Sequence, residues 1–224
     1  MTEKQKEAMV LKIRQWSNSG QYRKAYKLSW KLHREHPKDF QFAYLAAVFH
    51  AEDPRGLKPS EVKKRYATTA RNLKALLRRL RGVPDRWAYG ARNEYYWFSK
   101  QPLKQYRLGV EGVAKGNKRA YYSQGVGSCE LAYKYALQGR WRLCERWARK
   151  SKKAWENFFK VDSKWYNAYL FYGKVLGLLG KPEEMERSFK IGSRISGMPV
   201  NDETFEIFRR EVSLALKKRA PRGR

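Results

Sequence analysis

Apolar residues recur along this chain at three- and four-residue intervals, in stretches of about 10–22 residues, and strand-like alternation is scarce. The period is that of α-helices, so the expected fold class is all-α. Pro and Gly fall mostly between the periodic stretches: Gly20, Pro37, Asp53-Pro54, Pro59, Gly82, Pro84, Gly116, Gly125, Gly139, Gly180 and Pro199. Such residues stop a helix or turn the chain.

One stretch is more ordered than the rest. Tyr169-x-x-Tyr172-Gly173-x-x-Leu176, followed by Met185-x-x-x-Phe189, resembles a unit of the tetratricopeptide repeat. The resemblance implies a right-handed α-solenoid of antiparallel helix pairs, each burying its apolar face against the next. Weaker copies precede it. The first has Trp16, Gly20, Tyr22, Ala25 and Pro37. The second has Phe42-x-x-Leu45-Ala46-x-x-Phe49, then a loop over 53–59 and a second helix over 60–81. Another has Leu131-Ala132-x-x-Tyr135, Gly139, Trp141, Cys144 and Ala148, with Gly139 and Gly180 in equivalent places. Segment 86–124 fits only loosely, as a divergent pair. Together these predict one solenoid over 1–217 with pairs at about 5–36, 39–81, 86–116, 121–161 and 165–196. A capping helix is expected over 202–217 and a flexible basic tail over 218–224.

The resemblance covers roughly two-thirds of the chain and speaks for fold, not ligand. Some members of the family grip a peptide C-terminus with Lys, Arg and Asn on successive first helices. The matching positions here are Val10 and Arg14, Ala43 and Ala47, Cys129 and Tyr133, Leu170 and Lys174. That clamp is missing.

Charge changes the picture. Lys and Arg total 50 against 21 Asp and Glu, a formal net charge of +29. Self-repulsion of that size is relieved by a polyanion. The cations are ordered along the second helices. Lys63, Arg71, Lys74, Arg78 and Arg81 fall in one arc of the 60–81 helix, a stripe of about 27 Å, opposite Val62, Tyr66, Leu73, Leu77 and Leu80. Arg142, Arg146, Arg149, Lys153 and Lys160 align after Gly139, opposite Cys144, Trp147, Ala154, Trp155 and Phe158. Arg23, Lys27, Lys31 and Arg34 align after Gly20, opposite Ala25, Leu28 and Leu32. An ordinary solvated face mixes Glu with Lys at helical spacing, and these mostly do not. In the solenoid they would form a convex basic surface for phosphate contact. The last repeat, with Glu183, Glu184 and Glu186, is less basic.

Other chemistry is thin. His33, His36 and His50 have no metal-ligand spacing, and GKVLGLLGKP over 173–182 lacks the Lys-Ser/Thr end of a phosphate loop. No enzyme activity and no cofactor are expected. Cys129 and Cys144 read as small buried core residues. The runs Tyr95-Tyr96-Trp97-Phe98 and Tyr121-Tyr122 read mainly as core, with Tyr89, Tyr96 and Tyr122 the rings best placed to be free. With no signal core at the N-terminus and no apolar run long enough to span a bilayer, a cytoplasmic protein is expected. The basic helices need their apolar faces for packing, which makes them poor membrane anchors.

Two functions follow. The first is a non-enzymatic scaffold whose basic face binds nucleic acid, RNA favoured over DNA. The second is an adaptor that holds a segment of an acidic protein in a concave groove touched by Arg14, Phe40, Tyr133, Asn167 and Lys174.

Overall fold

The computed structural model describes residues 1–51, 57–83 and 85–219, so most of the 53–59 loop, Pro84 and the end of the basic tail lie outside it. Among the described residues the fold is all-helical and contains no strand. The helices are α1 (Glu3–Asn18), α2 (Tyr22–Glu35), α3 (Phe40–Phe49), α4 (Pro59–Leu76), α5 (Asp85–Phe98) and α6 (Pro102–Ala114). They continue with α7 (Tyr121–Leu137), α8 (Trp141–Phe159), α9 (Tyr166–Leu178), α10 (Pro182–Ser196) and α11 (Glu203–Leu216). Successive helices pack together from α1 to α5 and again from α6 to α10. The chain divides into two compact units, Met1–Lys100 and Gln101–Arg224. The boundary falls between α5 and α6, the two helices that the sequence groups over 86–116.

In the first unit α3 is the core element. Its sequence is apolar all round, and it is buried on two faces. Phe42, Leu45 and Phe49 pack with Val10 and Ile13 of α1, Ala25 and Leu32 of α2 and Trp87 of α5. Ala43, Ala47 and Val48 pack with Leu73 and Leu76 of α4 and Phe98 of α5. Asp39 starts α3 by accepting the Gln41 and Phe42 backbone N–H groups at 2.8 and 3.2 Å. Its second oxygen meets the Lys6 ammonium of α1 at 2.7 Å.

The second unit is centred on α7 and α9. Small residues let their backbones come close to neighbouring helices. A Cβ on Gly125 would lie 2.5 Å from the Trp155 ring of α8, and one on Gly173 2.4 Å from the Phe189 ring of α10. Hydroxyls on the partner helices reinforce the contact. Ser151 donates to the Gly125 carbonyl at 2.7 Å, and Ser188 to that of Tyr169 at 2.8 Å. Thr69 of α4 does the same to Ala47 of α3 at 3.1 Å.

The turns after α1, α7 and α9 share one geometry. Gly20, Gly139 and Gly180 have φ of 72, 68 and 77°, and each following N–H reaches back five residues, Gln21 to Trp16, Arg140 to Tyr135 and Lys181 to Leu176. The equivalence of Gly139 and Gly180 read from sequence is thus a backbone equivalence. After α5 the left-handed residue is Lys100, with φ of 54°.

Two expectations change. The helix expected to run to residue 81 is α-helical only to Leu76; a 3-10 turn covers Leu77–Arg79, and Leu76 is buried where Leu77 is half-buried. The C-terminal helix does more than cap. From its Asp202 cap, α11 crosses α9 and reaches α7. Phe205 meets Phe189, Arg209 forms a bidentate pair with Glu186, and the Lys218 carbonyl accepts the Trp141 indole N–H at 3.3 Å. Arg219 pairs with Glu145 at 3.3 Å, so the first two residues of the expected flexible tail are docked.

Candidate nucleic-acid interface

All of the basic residues aligned by sequence are exposed: Arg23, Lys27, Lys31 and Arg34 on α2; Lys63, Arg71 and Lys74 on α4, with Arg78 and Arg81 just after it; and Arg142, Arg146, Arg149 and Lys153 on α8, with Lys160 just after it. Of these, among the described residues, only Lys31 forms an ion pair, a 3.8 Å contact with Glu35.

The reason is clearest on α8. Its core face, Cys144, Ala148, Ser151, Ala154, Trp155 and Phe158, is buried against the second unit. Helical spacing then forces positions 142, 146, 149 and 153 outward. The helix carries two carboxylates, and both are engaged elsewhere. Glu145 pairs with Arg219, and Glu156 with Lys152. The Lys152 ammonium is held above its usual pKa by that hydrogen bond. Lys150 is turned sideways over the Trp147 and Tyr106 rings, at 4.6 and 5.6 Å. The outward stripe therefore keeps its charge uncompensated.

On α4 the single acid, Glu61, accepts the Lys58 backbone N–H at 2.8 Å. On α2, Ala25, Ser29 and Leu32 are buried and the cations point away; Leu28 is half-buried. By contrast α10 mixes charges. Glu184 pairs with Lys181 and Glu186 with Arg209, beside exposed Arg187, Lys190 and Arg194. The α2 and α4 stripes belong to the first unit and the α8 stripe to the second.

The expected groove residues divide differently. Arg14 is exposed and lies 5.3 Å from the Trp87 ring centroid; Phe40 is half-buried between the two clusters of the first unit. Tyr133 and Asn167 are half-buried in the second unit. Lys174 overturns its expected placement. It is 1% exposed, held between Glu130 of α7 at 2.8 Å and Glu211 of α11 at 2.7 Å, with its ammonium 4.0 Å from the Tyr133 ring centroid. Burial pushes its pKa down, but the two carboxylates outweigh this and the net direction is up. Because α11 lies over α9, Lys174 is an internal counter-ion and lines no open surface.

Cys129 and Cys144 are free and buried, as read from sequence. Burial lifts both thiols, that of Cys144 to about 12. Residues 173–178 are the last turns of α9, and 179–182 turn the chain into α10. Tyr89, Tyr96 and Tyr122 are half-buried; Tyr122 stacks on Trp165 at 5.1 Å and meets Trp155 and Phe158 edge-on. The freest tryptophan is Trp30, 42% exposed on α2, which the sequence reading did not single out. Its helical position, in line with Arg23, Lys27 and Arg34, was the available signal.

Among the described residues no group of His, Cys, Asp and Glu is placed to hold a metal ion, and no helix is long and apolar enough to cross a membrane. No protein-family model matches the chain, and no curated protein matches it.

Proposed function

We propose that this protein is a non-enzymatic, tetratricopeptide-like helical scaffold that binds nucleic acid, RNA in preference to DNA, through phosphate contacts from its exposed basic helices. The observation that carries this reading is the α8 stripe: four outward cations on a helix whose own carboxylates are already paired. Ordered, uncompensated positive charge attracts a polyanion and gains by counterion release. Phosphate contacts position a strand without reading its bases, so sequence preference would be weak. The repeated glycine turns and the close approaches at Gly125 and Gly173 support the repeat-like part of the proposal. Two free buried thiols fit a reducing cytoplasm. The adaptor reading has less support, because α11 packs over α9 and Lys174 is inside.

The test is a titration of RNA and DNA at two ionic strengths, with the wild type and with Arg142→Glu, Arg146→Glu and Arg149→Glu combined. Affinity should fall with a log–log salt slope of roughly −3 to −5 for four to seven phosphates on a single strand. The charge-reversed variant should bind at least about tenfold more weakly with a shallower slope. The same change at Arg187, Lys190 and Arg194 should have little effect. Salt-insensitive binding, or none, would overturn the proposal.

A further inference from the structure

Trp30 stands out on α2 because the helix has a well-formed core face that does not use it. Ala25, Ser29 and Leu32 are buried, while Trp30 remains 42% exposed. It follows Arg23 by seven residues and Lys27 by three, and precedes Arg34 by four, so the four side chains share one face of the helix. The Arg34 guanidinium lies 5.1 Å from the indole centroid, a cation–π contact that orients the ring and still leaves it accessible.

The amino-terminal end of this face opens on a cleft of about 490 Å³ lined by Gly20, Gln21, Tyr22, Arg23, Lys24 and Lys27. Lys24 is tethered to the Gln21 side-chain oxygen at 2.9 Å. Arg23 and Lys27 form no ion pair among the described residues. Arg23 and Trp30 are separated by about 10 Å along the axis, close enough for neighbouring nucleotides of one strand to reach both.

We propose that this face of α2 binds single-stranded nucleic acid, with one unpaired base stacked on Trp30 and the adjoining phosphates held by Arg23, Lys27 and Arg34. The inference rests on the nucleic-acid reading above and narrows it. A cationic stripe alone accepts a duplex or a strand. An exposed indole accepts only a base whose face is open, and duplex bases are closed by their neighbours. The charge of the helix selects a polyanion over an apolar protein surface: Arg23, Lys27, Lys31 and Arg34 are all exposed on α2, Arg34 against the ring, and the one acid of the helix, Glu35, is paired with Lys31.

Fluorescence anisotropy of the full chain with labelled oligo-uridine and with an RNA duplex of equal length tests it. Trp30→Ala should weaken the single strand at least about fivefold and leave the duplex unchanged, because stacking contributes per unpaired base. Trp30→Phe should recover most of the loss. The salt slope should not move, since no phosphate contact is removed. Trp30 lies outside the core clusters, so both variants should fold, Trp30→Phe with a melting temperature close to the wild type and Trp30→Ala with a modestly lower one. Equal weakening of strand and duplex, or no weakening, would overturn the stacking site while wild-type salt-sensitive binding keeps the broader function. Loss of a nuclease-resistant protein partner in Trp30→Ala, with strand affinity intact, would assign the ring to a protein contact instead. Failure of the wild type to bind either RNA would remove both proposals.

Discussion

Lys174 is the residue whose role depends most on its surroundings. A lone ammonium at 1% exposure would be strongly disfavoured, and two carboxylates near it without the ammonium would repel each other. The triad joins α7, α9 and α11, so its loss should loosen the C-terminal helix as well as the core. Lys174→Met should cost about 3–5 kcal/mol by chemical denaturation, since it leaves Glu130 and Glu211 facing each other uncompensated. Adding Glu130→Gln and Glu211→Gln should restore part of that. A loss below about 1 kcal/mol would mean that water reaches the two acids. Nothing in the local sequence around Lys174 announces this, because both partners come from distant helices.

At the scale of the element, the close-packed glycines oppose two physical effects. Ala is the better helix former by roughly 1 kcal/mol, so Gly173→Ala should stabilise an isolated α9. In the folded unit the new methyl would sit 2.4 Å from the Phe189 ring, itself fully buried. Packing should win, and Gly173→Ala is expected to lower stability by about 1–3 kcal/mol, with Gly125→Ala against Trp155 behaving alike. Thermal melts of the two variants check the sign; a rise in melting temperature would show that the rings can move aside. Gly173 was legible in the sequence, because the resemblance to the repeat asks for a small residue there; Gly125 was not, since it read as a break between helices and lies inside α7, where it makes room for the Trp155 ring. The end of α4 was not: the change to a 3-10 turn at Leu77–Arg79 depends on how the chain leaves the helix, and periodicity continues unbroken across it.

For the whole molecule the dominant quantity is the net charge of +29. Among the described residues most of the exposed cations form no ion pair, so the folded state carries repulsion that the expanded chain would relieve. Raising the salt from low to physiological concentration should therefore raise the melting temperature, and a polyanion such as heparin should raise it further at low salt by binding the native form. A melting temperature unaffected by both would mean that the charges are too far apart or too well hydrated to matter. Heparin reports only on charge, so it leaves the single-strand preference of α2 to the Trp30 variants.

Local pattern was enough to place the helices, most of their approximate ends, the turns at Gly20, Gly139 and Gly180, and the outward direction of the stripe cations that lie on α2, α4 and α8. Each of these follows from local rules: a 3.6-residue period, a left-handed glycine, and an apolar face that must turn inward. Only the tertiary structure decided which charges stay available. It buried Lys174 between Glu130 and Glu211, occupied Glu145 with Arg219 and laid α11 over α9. It also left Trp30 exposed among cations, although a tryptophan on an amphipathic helix is ordinarily expected in the core. Whether an ion pair forms, or a ring is covered, depends on groups that are far apart in the chain, and a local pattern carries no information about them.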